Sequence, residues 1–293
     1  FLQLEQWPQA IALMTDFETR FPQHAETKAI PARLLLAYEA QQDWHNAALR
    51  AMQIVESDAG AMTRQQALFS AAQFYYRAND IENTIDKYRR YAHDYPEPLA
   101  DQMKAQRWLA ELYLAKSQTV KRNFWLNKMM VTHDSAKEKT NRSYYLAAFA
   151  AVDLADQSML RYQKIKLDHP LKNSLKKKQK AMKLALSGYE RTIDYGVDIF
   201  ATQATHKMGD IYAELATGLL ASTRPTGLSE LELEQYEFLL EEQAYPFEES
   251  AIEFYLANIE RGWGGLRTEW VVLSHKALAK LLPGRFAKQE LRP

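Results

Sequence analysis

Apolar residues recur along this chain at three- and four-residue intervals, the spacing of an amphipathic helix, and the stripes themselves recur at a longer fixed interval. The segment from Gln65 to Pro96 shows both periods. Leu68, Ala71, Ala72 and Tyr75 fall on one helical face, and the small pair Ala71 and Ala72 lets a second helix approach closely. Asn79 and Asp80 supply a turn, with Asp80 as the N-cap of the next helix. Thr84, Tyr88 and Tyr91 form that helix's stripe, and Tyr95-Pro96 closes it, because proline drives the preceding residue out of helical conformation. A shift of 37 residues superposes like positions: Trp7, Trp44 and Ile81; Ala10, Ala47 and Thr84; Met14, Ala51 and Tyr88; Phe17, Ile54 and Tyr91. A period of this length predicts a solenoid of stacked helical units, each unable to bury its apolar face alone. No window alternates with period two between hairpin signals, so the predicted class is all-α.

The remaining chain divides by how well it keeps this pattern. A unit starting near Lys28 carries Leu34, Leu35 and Tyr38, then Ala47, Ala51 and Ile54, with Pro31 and Leu35 predicting looser or reoriented packing. Trp7–Pro22 matches only a second helix, which gives the expectation that the chain starts in a half-unit of something longer. A degenerate unit follows from Met103, the register slipping by one residue at Tyr113, and a fifth begins near Asn141 with Tyr144, Ala147, Ala148 and Ala151. Between Leu160 and Tyr195 only Pro170 interrupts a helical pattern, predicting one elongated helix, and the repeat pattern returns at Thr202 with Thr205, Met208, Gly209 and Tyr212. Arg224-Pro225-Thr226-Gly227 reads as a loop, Ser229 with Glu232 as a capping box, Pro246 as the start of a further helix, and Gly262 to Gly265 as its end. A last helix spans roughly Leu266–Leu282. The expected organisation is a repeat array over residues 1–158, a long basic helical segment over 159–196, and carboxyl-terminal helices over 197–293.

Composition narrows the chemistry. Lys plus Arg and Asp plus Glu balance at 37 each, so the chain lacks the surplus cation that nucleic acid demands. Cysteine is absent, which excludes disulfides, thiolate metal sites and cysteine nucleophiles. No run of eighteen apolar residues is present to span a membrane. The histidines, at 24, 45, 93, 133, 169, 206 and 275, are too scattered for a ligand motif, so neither a metal nor a cofactor is expected. His206 stands apart, because it is expected on the groove side of its helix. Glycine-rich Gly262-Trp263-Gly264-Gly265 follows a helix rather than a strand and reads as a turn, and the adjacent pairs Glu241-Glu242 and Glu248-Glu249 diverge on a helix too far for paired acid–base work. An enzyme is not expected. The charge is segregated all the same: Leu160–Arg191 holds ten basic residues against two acids, and Ser229–Glu253 holds nine Glu and no base. These runs read as two solvated helix faces, free or paired with each other, or as a docking surface for an acidic partner or an anionic membrane.

Positions 4, 7, 8, 11, 20, 24, 27 and 32 counted from Gln65 carry packing residues, which resembles the tetratricopeptide repeat. The closing sequences Asp16-Phe17-Glu18-Thr19-Arg20-Phe21-Pro22 and Arg90-Tyr91-Ala92-His93-Asp94-Tyr95-Pro96 are similar to those of tetratricopeptide proteins of the Gram-negative periplasm, such as the outer-membrane assembly lipoprotein and the Tol–Pal coordinator. Tyr245-Pro246-Phe247-Glu248-Glu249, Trp270 and Leu282-Pro283-Gly284-Arg285-Phe286-Ala287-Lys288 resemble repeat proteins of TonB- or Tol-type systems. The resemblance implies a right-handed helical solenoid interrupted by a long-helix insertion. It implies a non-enzymatic periplasmic scaffold or adaptor with peripheral association to the envelope, holding a protein or peptide partner in its concave groove. A regulatory platform for a cytosolic enzyme or transporter is the competing expectation. Carried over by position, the groove residues are Phe69, Gln73 and Tyr76 with Arg77 beside them, then Lys104, Arg107 and Glu111, then Tyr145 and Phe149, then Gln203, His206 and Asp210.

Overall fold

A computed structural model describes residues 6–287. Thirteen α-helices follow one another, joined by short turns and one 3-10 turn at Ala25–Ala29, with no strand among the described residues. They are α1 (Trp7–Arg20), α2 (Ile30–Ala40), α3 (Trp44–Val55), α4 (Ala61–Arg77), α5 (Ile81–Asp94), α6 (Leu99–Ala115), α7 (Thr119–Ser135), α8 (Asn141–Gln163), α9 (Leu171–Asp194), α10 (Asp198–Leu220), α11 (Glu230–Trp263), α12 (Glu269–Leu281) and α13 (Pro283–Phe286). Consecutive helices pack within two compact units, one ending at Glu138 and the other starting at Lys139. The all-α expectation therefore holds.

In the first unit the 37-residue interval reappears in the backbone. Gln42, Asn79 and Ser117 each adopt positive φ, at 58°, 59° and 55°, in the turns after α2, α4 and α6. The next residue reaches back each time: the amides of Asp43, Asp80 and Gln118 donate to the carbonyls of Tyr38, Tyr75 and Tyr113 at 2.9, 2.9 and 2.8 Å. Such a left-handed residue satisfies orphan carbonyls at a helix end and reverses the chain. Asp43 and Asp80 then cap α3 and α5, each accepting from a backbone amide (Asn46, Asn83) and from that asparagine's side chain. The last spacing is one residue longer, the slip expected at Tyr113.

The stripes are the core. Leu68, Ala71, Ala72, Tyr75, Thr84, Tyr88 and Tyr91 are all buried, and Phe69, Tyr95, Trp108 and Trp125 pack around them. In the preceding unit Leu34 and Ala37 are buried while Leu35 and Tyr38 are only partly so, in line with the looser packing expected beside Pro31. Basic residues bridge successive pairs, with Arg50 on Glu18 and Arg90 on Glu56 at 2.7 Å each, and Lys116 on Glu82.

The second unit departs from expectation in two places. The elongated helix over 160–195 does not form. Instead α8 ends at Gln163, residues 164–170 turn, and α9 starts after Pro170. Lys178 explains the break: its ammonium is buried and donates to the carbonyls of Tyr162 and Ile165, closing the carboxyl end of α8, and pairs with Glu214 of α10 at 2.8 Å. The basic segment is thus built into the unit, α9 packing against both α8 and α10. Pro246 also starts no helix, since α11 runs uninterrupted through it. The proline is exposed, and the buried stripe of Leu240, Ala244, Ala251, Tyr255 and Ile259 continues on the opposite face, holding the helix together across the missing amide. The capping box of Ser229 and Glu232, the stop at Gly264 and a last long helix ending near Leu282 are as expected.

Candidate functional site

In the first unit, the last turn of α4 and the carboxyl-terminal half of α6 line a cleft of about 570 Å³, with residues including Tyr76, Arg77, Trp108, Glu111 and Lys116. The volume lies in the range of small recognition pockets. Tyr76 is 44% exposed, and its ring centroid is 5.0 Å from that of Trp108. Trp108 in turn stacks on the buried Tyr88, which fixes the indole plane from behind. Arg77 lies over the Trp44 ring at 4.6 Å, and Glu111 accepts from Arg107 at 2.7 Å. The cleft thus offers an aromatic wall with a cation and an anion already oriented beside it.

Of the first-unit groove residues, Tyr76, Arg77 and Glu111 meet here, with Arg107 bound to Glu111. Gln73 is exposed one helical turn earlier on α4. Lys104 is tied to Asp101 at 2.8 Å. Phe69 is packed inward, edge-on to Tyr88 and Tyr91, where it serves the core. Trp108 was missed by the positional reading, although it stands three residues before Glu111 and four after Lys104, on the same helical face.

In the second unit the remaining candidates are drawn into packing. Tyr145 and Phe149 of α8 close on Phe200 of α10, with centroids at 5.1 and 6.4 Å. Gln203 donates to Asp156 at 3.4 Å, and the Tyr189 hydroxyl donates to the same carboxylate at 2.6 Å. Burial raises the Asp156 pKa. His206 is buried, which corrects its expected place on an open groove face. Its ring lies between Tyr255 of α11 and Trp270 of α12, Nδ1 meets Ser274 Oγ at 3.0 Å, and Nε2 faces Asp210 at 3.4 Å. The Tyr255 hydroxyl donates to Asp210 at 2.8 Å.

Serine, histidine and aspartate in series invite comparison with a nucleophilic triad. Here Ser274 has no exposed surface, and Asn258 donates to its oxygen at 3.0 Å while also donating to the Thr202 carbonyl at 2.9 Å. Arg261 adds bonds to Thr205 and Asn258. This buried network joins α10, α11 and α12 and gives no route for an attacking oxygen to reach a substrate. Gly209 makes room for it: a Cβ there would stand 2.6 Å from the Tyr255 ring. Beside the network, His206, Asp210, Tyr255, Lys276 and Lys280 line a cleft of about 410 Å³. Among the described residues no group of three or more His, Asp and Glu side chains is placed to hold a metal ion, and no helix is long and apolar enough to cross a membrane.

A scan of protein-family models finds no match to this chain, and a search of curated proteins finds none either. The protein is an all-α array of consecutively packed helices with a preorganised aromatic cleft in its first unit.

Proposed function

We propose that this chain is a non-enzymatic scaffold of the tetratricopeptide type, acting in the bacterial cell envelope, and that it holds a segment of a partner protein at the α4–α6 cleft. The observation that carries the reading is the Tyr76–Trp108 pair, an exposed aromatic wall held rigid by Tyr88 and bordered by Arg77 and Glu111. Rigid aromatic anchors flanked by oriented charges are what a partner's apolar side chain and its polar neighbours need. The recurrent left-handed turns at Gln42, Asn79 and Ser117 support the repeat assignment. The envelope placement rests on the resemblance of the aromatic-proline helix endings to periplasmic repeat proteins.

The test is a crosslinking pull-down from cells producing the full chain. Tyr76→Ala and Glu111→Arg should reduce recovery of the partner at least about tenfold, as loss of a hot-spot residue does. An exposed substitution elsewhere in the same unit, Val120→Ala, should leave recovery unchanged. Equal recovery in all of these would overturn the reading.

A further inference from the structure

Two surfaces of the second unit expose apolar side chains, carry opposite charge, and occupy opposite ends of one helix. The first is the amino-terminal part of α11. Tyr212 of α10 stacks on Phe247 of α11, and in this antiparallel pair that register places Leu220, where α10 ends, near Leu239. The turns of α11 before Leu239 therefore project beyond α10. They carry Leu231, Phe238 and Leu239, which are 65%, 60% and 53% exposed. An open groove of about 480 Å³ runs along them, lined by α11 alone through Leu231, Glu234, Gln235, Phe238 and Leu239. Glu230, Glu234 and Glu241 have no ion-pair partner among the described residues, and the ion pair drawn from this stretch goes from Glu237 to Arg224.

The second surface is the corner between α11 and α12. Gly262 lets the helices close there, since a Cβ would stand 2.8 Å from Val271, and Gly265 turns the chain at φ +96°. The corner encloses a cleft of about 500 Å³ whose apolar floor includes Ile259, Trp263, Leu266 and Val272. Trp263 is 73% exposed. Arg267, His275 and Lys276 stand around it, and neither Arg267 nor Lys276 has an ion-pair partner among the described residues.

We propose that the chain associates with a second copy of itself, the acidic first turns of α11 in one copy docking into the cation-rimmed α11–α12 corner of the other. Phe238 and Leu231 enter the Trp263 cleft, and Glu234 and Glu241 meet Arg267 and Lys276. The pairing cannot occur within one molecule. Leu231 and Trp263 stand 32 residues apart on an uninterrupted helix, about 48 Å at a rise of 1.5 Å per residue. Complementary charge sets the orientation of such a contact and its rate of formation, while the buried aromatic and aliphatic groups supply its affinity.

Sedimentation velocity on the full chain at low salt tests this. The wild type should form species larger than a monomer as concentration rises, less so in high salt. Glu234→Lys/Glu241→Lys and Arg267→Glu/Lys276→Glu should each weaken association at least about tenfold with an unchanged helical circular dichroism spectrum. A one-to-one mixture of the two variants should recover a two-copy complex, because the first keeps its basic cleft and the second its acidic helix. A wild type that stays monomeric throughout, variants that associate as it does, or a mixture that stays monomeric would each overturn the proposal.

Discussion

Tyr88 of α5 and Trp108 of α6 stack in a parallel, offset arrangement, their ring centroids 5.7 Å apart and their planes 6° from parallel. Tyr88 is fully buried, and burial pushes its phenol pKa well up. Its hydroxyl has no hydrogen-bond partner among the described residues. A buried donor left unpaired costs about 1–3 kcal/mol, whereas an apolar group of the same shape costs nothing there. Tyr88→Phe should therefore raise stability by about 1 kcal/mol in urea unfolding without moving Trp108. Trp108→Ala should lower it by about 2 kcal/mol, since a half-buried indole leaves a partial cavity over Tyr88.

The turn at Asn79 allows a backbone test. Asparagine tolerates left-handed φ, glycine adopts it freely, and a β-branched side chain clashes there. Asn79→Gly should change unfolding free energy by no more than about 0.5 kcal/mol, and Asn79→Val should cost about 1–2 kcal/mol. The equivalent pair at Ser117, one repeat on, should show the same ordering.

Lys178 separates a structural cation from its exposed neighbours in the basic run. Lys178→Met keeps the buried stem but leaves the Tyr162 and Ile165 carbonyls and the Glu214 carboxylate without their donor. The expected loss is about 2 kcal/mol, below that of a fully dry ion pair because Glu214 is one-third exposed. Lys177→Met should be neutral within about 0.5 kcal/mol.

His206 should make the second unit sensitive to mild acid. Burial lowers its pKa from 6.5; Asp210 opposes the shift, and Lys207 adds to it. Arg261 of α11 and Lys276 and Lys280 of α12 also lie around this network and its cleft. A base with a depressed folded pKa takes up its proton more readily when unfolded, so its contribution is intact above pH 6.5 and is lost as the pH falls below it. Asp156 acts oppositely: its raised pKa favours folding as the pH falls from that raised value toward 3.8. Between pH 7.5 and 5.5 the melting temperature of the wild type should drop more than that of His206→Asn, whose amide can still bond Ser274. Equal drops would remove His206 as the cause.

Local signals made much of this fold legible in the sequence. The stripe from Leu68 to Tyr91, the turn at Asn79, the aspartate cap that follows it and the Ser229 capping box all depend on residues within a few positions of one another. What depended on distant packing was not legible. The end of α8 is set by Lys178, which looks in the sequence like one lysine of a solvated triplet, and its Glu214 partner lies 36 residues away. The passage of α11 through Pro246 needs the buried stripe on its other face. His206 is hidden by Trp270 and Ser274, on a helix more than sixty residues later. The resemblance to tetratricopeptide repeats, carried over by position, pointed to Tyr76 and Glu111, but the stacking that makes Trp108 the cleft wall appears only when α5 packs on α6.

The central claim, that a partner segment sits against Tyr76 and Trp108, is tested most directly by photo-crosslinking from position 76 in cells producing the full chain. A photoreactive phenylalanine at Tyr76 should capture one defined segment of a partner protein, and adding Trp108→Ala should abolish the capture while the chain remains folded. The same probe at Met62, exposed on the first turn of α4, should not capture that segment. Equal capture from both positions, or capture at position 76 that survives Trp108→Ala, would contradict the account.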